Sequence, residues 1–383
     1  MLPFGYAVRN LFRDPKRLLQ AVLGSALVVL MVMVAAALND GMTDVLSASG
    51  SPRNVILLGA GSEDSVLRSE ISERAAGIAE SSLNGLAEIA GVRAVSPEIH
   101  QMTLISAGGS DGRQAFVRGV TTKAPLVHRK MVVTEGAFAK PGGVMAGRLA
   151  WRRLGLPKDA LRPGQEIMVE DTPMTVAGIF VAPGTVMESE IWMDLNDLRS
   201  LSLRENLSCV VLRLDGGTFP DVDLFTKQRL DLELSALQES DYFARLSAFY
   251  APIRGMTWVT ALLIATGALL GGLNTLYAAF SPRIREIATL QAIGYGRGAI
   301  LFSLIQESTL AALCGAVVAA TAAVLFLEGV AVSFSIGSFV LRVTPAVAAA
   351  GFGTGLGLGL VGAIPPGLRC LLPPVHDALR SAA

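Results

Sequence analysis

No glycine in these 383 residues is followed by lysine, so the phosphate loop GxxxxGK[ST], which requires that pair, is excluded. If ATP drives this protein, another chain must bind it. The three cysteines, Cys209, Cys314 and Cys370, fall in a wet stretch, an apolar stretch and the tail, so no obvious pair can close a disulfide. His100, His128 and His376 are as widely scattered, and neither HExxH nor CxxC spacing occurs, so no metal site is expected. No nucleophile and base stand together in a recognisable pattern, and none of the residues is expected to be catalytic. Charge is scarce at 17%, and 32 basic residues cancel 32 acidic ones; without a net basic face, nucleic acid is not a partner.

What the sequence has is apolar length. At 51% hydrophobic residues and a mean hydropathy of +0.51, the chain is too apolar for an ordinary soluble protein. Pro3 to Arg13 is amphipathic and fits a helix lying on the inner leaflet. Leu18 to Leu38 is apolar apart from Gln20 and Ser25 and matches the ~20 residues a bilayer requires. A cleaved signal peptide ending near Ala35-Ala36-Ala37 is the competing reading, but the basic lead is long and the apolar run exceeds a signal core. Met256 to Phe280, Leu301 to Leu327 and Thr344 to Ile364 supply three further spans, the last expected to stop at Pro365-Pro366.

The expected architecture is a membrane protein with four transmembrane helices and a large extracytoplasmic mixed α/β domain of two lobes between the first two. Its boundaries are a cytoplasmic segment 1–17, spans at 18–38, 253–280, 301–328 and 344–364, and an outer domain 39–252. A cytoplasmic helix and loop at 281–300, a short outer loop 329–343 and a tail 365–383 complete it. Basic residues select the orientation. Arg9, Arg13, Lys16, Arg17, Arg283, Arg285, Arg297, Arg369 and Arg380 fall on one side, against Arg342 on the other, which puts both termini in the cytoplasm.

Within the outer domain, Arg53 to Leu58 is predicted as a strand, Glu63 to Ala90 as one or two helices, and Val92 to Ile105 as a strand with Pro97 at an edge or bend. That is a βαβ-like order. Val144 to Leu154 is predicted helical, and Glu166 to Val181 as strands around the turn Asp171-Thr172-Pro173. A short strand over Glu190 to Met193 leads into a helix begun by Asp194, and Leu207 to Leu214 is a further strand. Pro220 to Tyr250 has a long helical pattern, a stalk toward the membrane, with a break at Pro252 as the alternative.

The charged island Ser281 to Ile300 lies between two spans. Pro282 suits a first helical turn, Gly294, Gly296 and Gly298 end it, and Ile284, Ile287, Ala288 and Leu290 cluster on a wheel where Ile293 falls among polar residues. It is either a plain connecting helix or one that docks in a partner's groove. Glu307 is the acid of the third span, either a relay or a partner for a cytoplasmic-side arginine. Gly351, Gly355 and Gly359, and Gly267 with Gly271, are spaced for close helix packing in a bundle or dimer. Gly357 to Gly362 formally matches GxGxxG, but no strand precedes it.

In Asn274-Thr275, then Arg283-Ile284-Arg285-Glu286-Ile287-Ala288-Thr289-Leu290-Gln291-Ala292-Ile293-Gly294, then Gln306-Glu307 with Gly315, the sequence resembles the MacB/FtsX-type (type VII) ABC transporter permeases. Gly91 to Pro97, Gly147 to Ala150, Leu161 to Gln165, Val176 to Phe180 and the ending Pro374 to Arg380 resemble the same family. Unlike the MacB branch, there is no fused ATPase. The resemblance implies a permease subunit of the bacterial inner membrane, with Arg283, Ile284, Arg285, Glu286, Ile287, Leu290 and Gly294 seating a cytoplasmic ABC ATPase that binds ATP and Mg. It also implies a second permease subunit, an optional periplasmic adaptor, surrounding membrane lipid, and mechanotransmission to the outer domain for export, efflux or lipoprotein extraction. A non-transporting scaffold or signalling subunit is the alternative.

Overall fold

The computed structural model describes residues 4–108 and 111–375. From the N-terminus, α1 (Phe4–Arg13) precedes the long α2 (Pro15–Ser49), then β1 (Asn54–Gly59), α3 (Arg74–Ser82) and the small pair β2 (Glu88–Ile89) and β3 (Val92–Arg93). Next come β4 (Val95–Ala107), β5 (Arg113–Val120), α4 (Ala124–Val127), β6 (Val132–Gly136), β7 (Gly143–Gly147) and α5 (Ala150–Leu154). Then follow β8 (Glu166–Val169), β9 (Thr172–Val181), β10 (Ile191–Asp194), α6 (Leu195–Ser202), β11 (Cys209–Arg213), α7 (Phe219–Gln228), β12 (Leu234–Gln238) and α8 (Glu239–Phe249). The chain ends in α9 (Ala251–Phe280), α10 (Ile284–Ala292), α11 (Arg297–Phe326), the hairpin β13 (Ala331–Phe334) and β14 (Gly337–Val340), and α12 (Pro345–Leu371).

Two compact units result. One comprises 1–40, 252–330 and 341–383; the other comprises 41–251 and 331–340. In the first, four helices are long and apolar enough to cross a membrane, within Pro15–Ser49, Ala251–Ala292, Arg297–Phe326 and Pro345–Leu371. The second is a sheet in the order β12-β1-β11-β4-β5-β10-β7-β9-β6, with β8 paired to β4 and β9. Neighbours are antiparallel except β5 with β10 and β7 with β9.

β1 is buried on both faces. Val55 and Leu57 join the main core with Ala75 and Ala79 of α3, while Ile56 and Leu58 meet Ala94, Val127, Cys209 and Val211 on the other side. Because β11 lies antiparallel between β1 and β4, those two run parallel with α3 in their connection, a split form of the βαβ order. Pro97 pairs with Val210 where β4 has a strand on one side only, which is how the ladder tolerates a residue without an N–H.

Several expectations are corrected. Residues 63–73 form turns rather than helix, and only Arg74–Ser82 keeps the small apolar stripe Ala75 and Ala79 that a helix needs. Val144 belongs to a strand, with helix only from Ala150, because Val144 and Ala146 fit a pleat buried on both faces. The supposed stalk 220–250 is interrupted by β12, whose register with β1 pairs Leu237 with Ile56 and Leu234 with Gly59. A break follows at Tyr250, with Pro252 in the first turn of α9. Pro365 and Pro366 do not stop α12, which continues to Leu371; apolar spans tolerate proline where neighbouring helices satisfy the freed backbone. Residues 331–340, expected as a plain loop, are the hairpin. α2 runs unbroken through Ala35 to Ala37. His376 to Arg380 lie outside the described residues.

Candidate functional site

Pro282 sits in the first turn of a short 3-10 segment, Ser281–Arg283, where a missing N–H costs nothing, and that segment opens into α10. At the other end Gly294 takes φ +104°, a backbone conformation that a side chain would strain. The N–H groups of Ile293, Gly294 and Tyr295 bond back to the carbonyls of Thr289, Gln291 and Leu290 at 3.0, 3.0 and 3.1 Å.

α10 has two faces. Ile287 is buried in a cluster with Phe280, Ile300, Leu304, Cys370 and Leu371, Ile284 and Leu290 pack partly against it, and Ala288 is buried as well. Arg285, Thr289, Ala292, Gly294 and Arg297 are exposed, and so is Ile293 at 70%. Of the residues expected to dock a partner, Ile284, Ile287 and Leu290 therefore hold the helix to its own chain, whereas Arg285 and Gly294 are open. Ile293, the misfit of the helical wheel, is the large apolar group on the open face.

Ion pairs fix this helix from both sides. Arg13 of α1 reaches Glu286 at 2.6 Å, and Arg283 binds both oxygens of Glu307 at 2.9 Å, with Nε 3.6 Å from Glu286. Arg17 lies 3.9 Å from Glu307 and donates to the Ala279 carbonyl at 3.1 Å. Arg13, Glu286, Arg283, Glu307 and Arg17 thus form one alternating line across α1, α10, α11 and α2. Glu307 and Arg283 are largely buried, where losing one partner leaves the other charge uncompensated. Glu307 is paired with an arginine, and Gln306 beside it has a buried Oε1 without a partner among the described residues.

The glycines divide. A Cβ on Gly351 would meet Met33 at 2.7 Å, on Gly355 Ala316 at 3.0 Å, and on Gly359 the Thr309 backbone at 2.5 Å. These three permit α12 to close on α2 and α11. A Cβ on Gly267 or Gly271 would meet nothing within 4 Å among the described residues, and α9 is mostly exposed.

The sheet holds a second polar site that sequence reasoning missed. Glu98 of β4 accepts from Arg118 Nη1 at 2.8 Å and stands 2.9 Å from His100 Nε2 and 2.6 Å from His128 Nε2. Arg118 forks onto Glu190 through Nε and Nη2, both at 2.8 Å, and Trp192 Nε1 donates to the same carboxylate at 2.7 Å. Nearby, Glu239 accepts from Asn54 Nδ2 and the Ser51 N–H, both at 2.9 Å. All of these side chains except Ser51 are buried.

Burial alone would raise the Glu98 carboxyl, but His128 and Arg118 outweigh it and hold Glu98 well below the usual range. Glu190 is likewise lowered, burial being overcome by Arg118. Burial, reinforced by Arg118, lowers His100, so it is neutral at pH 7. For Glu239 burial outweighs His128 and the Ser51 N–H, and its carboxyl is pushed up. The Cys209 thiol is pushed well up by burial and by Glu98.

Glu98, His100 and Cys209 place possible ligand atoms within 4.8 Å of one another. Their donor set argues against a cation, because Glu98 Oε2 already takes the Arg118 and His100 bonds and a metal would face the guanidinium. Residues 108–112 spell GxSxG in the stretch of sequence between β4 and β5, and Gly109 and Ser110 lie outside the described residues.

Two family models match. One, the MacB-like periplasmic core domain, covers residues 19–221; the other, the FtsX-like permease C-terminal, covers 258–371. No curated protein matches the chain. Among solved structures, the periplasmic region of MacB from Actinobacillus actinomycetemcomitans is similar at 10% identity and TM-score 0.39, over 52% of this chain and 94% of that one. The extracellular domain of the ABC-type transporter YknZ from Gram-positive bacteria has 11% identity and TM-score 0.38, over 48% and 99%. A domain of a putative permease from Porphyromonas gingivalis has 12% identity and TM-score 0.35, over 48% and 88%. With one model spanning more than half of its residues and the other its last three apolar helices, this chain belongs to the MacB/FtsX-type family of ABC transporter permeases.

Proposed function

We propose that the chain is the membrane subunit of an ABC transporter of the bacterial inner membrane, both termini in the cytoplasm, and that a separate ATPase chain docks on α10. The observation that carries this reading is the two-faced build of α10, whose inner face and ion pairs fasten it to α1, α11 and α12 while Arg285, Thr289 and Ile293 stay exposed. A helix clamped so firmly moves as a handle rather than as a loop.

ATP and Mg belong to the partner. Its closure would push α10, and the push would travel along α2 and α9 to an extracytoplasmic sheet domain inserted between those helices. α2 is one unbroken helix from Pro15 to Ser49, with residues in both units, which suits a rod. Two permease subunits would share one pair of ATPases, and a periplasmic adaptor would serve export or efflux. The work done outside is mechanical: Cys209, whose thiol stands 4.0 Å from His100 Nε2, is buried and its thiol is pushed well up, which does not suit a nucleophile.

Co-purification tests the docking. Arg285→Glu with Ile293→Asp changes exposed positions only, so the chain should still insert and fold while the ATPase no longer co-purifies. Undiminished ATPase recovery with that double variant would refute the proposed seat.

A further inference from the structure

The first unit contains a cavity of about 650 Å³ between α1, α2, α9, α11 and α12, apolar along most of its length and polar at one end. Its apolar part follows α2 from Leu18 to Val28, about 15 Å at 1.5 Å per residue, against a half-bilayer of roughly 15 Å. Leu18, Leu27, Ile264, Leu269 and Leu358 supply apolar wall, and Gly271 and Gly272 leave it open on the α9 side.

The polar end carries both signs. Glu307 is neutralised by Arg283, which takes both of its oxygens, so Arg17 at 3.9 Å keeps charge to spare. Asp14, exposed, stands one turn before it, and the Asn10 Nδ2 group is buried without a partner among the described residues. A cation, an anion and an unused amide donor at the mouth of a leaflet-deep apolar groove fit one ligand chemistry.

We propose that this groove holds a zwitterionic aminophospholipid of the inner leaflet. Its phosphate lies by Arg17 and Asn10, its ammonium by Asp14, and its acyl chains run along α2 toward Val28. Basic groups between membrane helices on the cytoplasmic side recognise phospholipid heads in this way, and here the paired acid selects an amine-bearing head over a purely anionic one. The lipid would fill space beside the clamp on α10 and stiffen it.

Native mass spectrometry of the full chain, released from nanodiscs of phosphatidylethanolamine, phosphatidylglycerol and phosphatidylcholine in equal parts, tests this without any ATPase. Phosphatidylethanolamine should be retained selectively. Gly272→Leu, whose side chain enters open groove, should abolish retention, whereas Gly267→Leu, also in open space but outside the groove, should not. Arg17→Gln should weaken retention about five-fold, as expected for losing one surface-level arginine. Equal retention of all three lipids, or retention unaffected by Gly272→Leu, overturns the proposal. So does a cysteine cross-link between two copies through position 272, which would make the groove a seat for a second copy's helix.

Discussion

At the scale of single residues, Glu98 decides how the sheet domain responds to acid. Glu98 and Glu190 are held below their ordinary 4.5, so the stability they contribute is present above that value and lost as pH falls through their folded values. His100 is held below its ordinary 6.5, so its contribution is present above pH 6.5 and declines below it. Glu239 acts oppositely. Its folded value is raised from 4.5, and its burial costs stability as pH rises through that raised value. Urea titrations read by tryptophan fluorescence should therefore show the domain weakening steeply as pH drops below 4.5, whereas between 6.5 and 4.5 His100 and Glu239 act against each other. Stability unchanged as pH falls from 4.5 through about 3 would contradict the network. Arg118→Met leaves Glu190 without its guanidinium and Glu98 with the two imidazoles alone, and should cost about 3–5 kcal/mol in the same titration.

At the scale of elements, the small-residue faces separate two kinds of packing. Gly359→Leu drives a side chain into Thr309 of α11 and should lower the melting temperature of the detergent-solubilised chain by several degrees, whereas Gly267→Leu enters open space and should leave it unchanged. The four apolar helices were legible because an uninterrupted apolar run of bilayer length has little place in a water-soluble fold. So were β1, the β8–β9 hairpin and α6, whose Asp194 accepts from the Asn196 N–H as a cap should. The stretch 220–250 misled because its leucines suit either period, and only the pairing of Leu237 with Ile56 decides for strand over part of it. On α10 the wheel identified the apolar cluster but not its destination. Which face is inward depends on Phe280, Leu304 and Leu371, none of them sequence neighbours of the helix. The Glu98 network was illegible for the same reason, since His100 and His128 stand on separate elements and meet only through the sheet.

At the scale of the whole molecule, the second unit is completed by residues that arrive late in the chain. The β13–β14 hairpin packs Gly337 against Val186 and Phe339 against Gly41, and Arg153 donates to the Phe334 and Ser335 carbonyls at 3.2 and 2.8 Å. Arg153→Ala should raise amide exchange in 331–340 about ten-fold while β4 and β5 keep their protection, the scale of one charged hydrogen bond. Unchanged exchange in the hairpin would show that the arginine does not hold it.

The proposed function places a partner ATPase on α10. The most direct test replaces the exposed Ile293 with a photoreactive residue in living cells and identifies what it captures on illumination. The account predicts a cross-link to an ATP-hydrolysing polypeptide that disappears when Arg285→Glu is added. Capture of no such polypeptide, or labelling of position 293 by a reagent confined to the outside of the inner membrane, would contradict it.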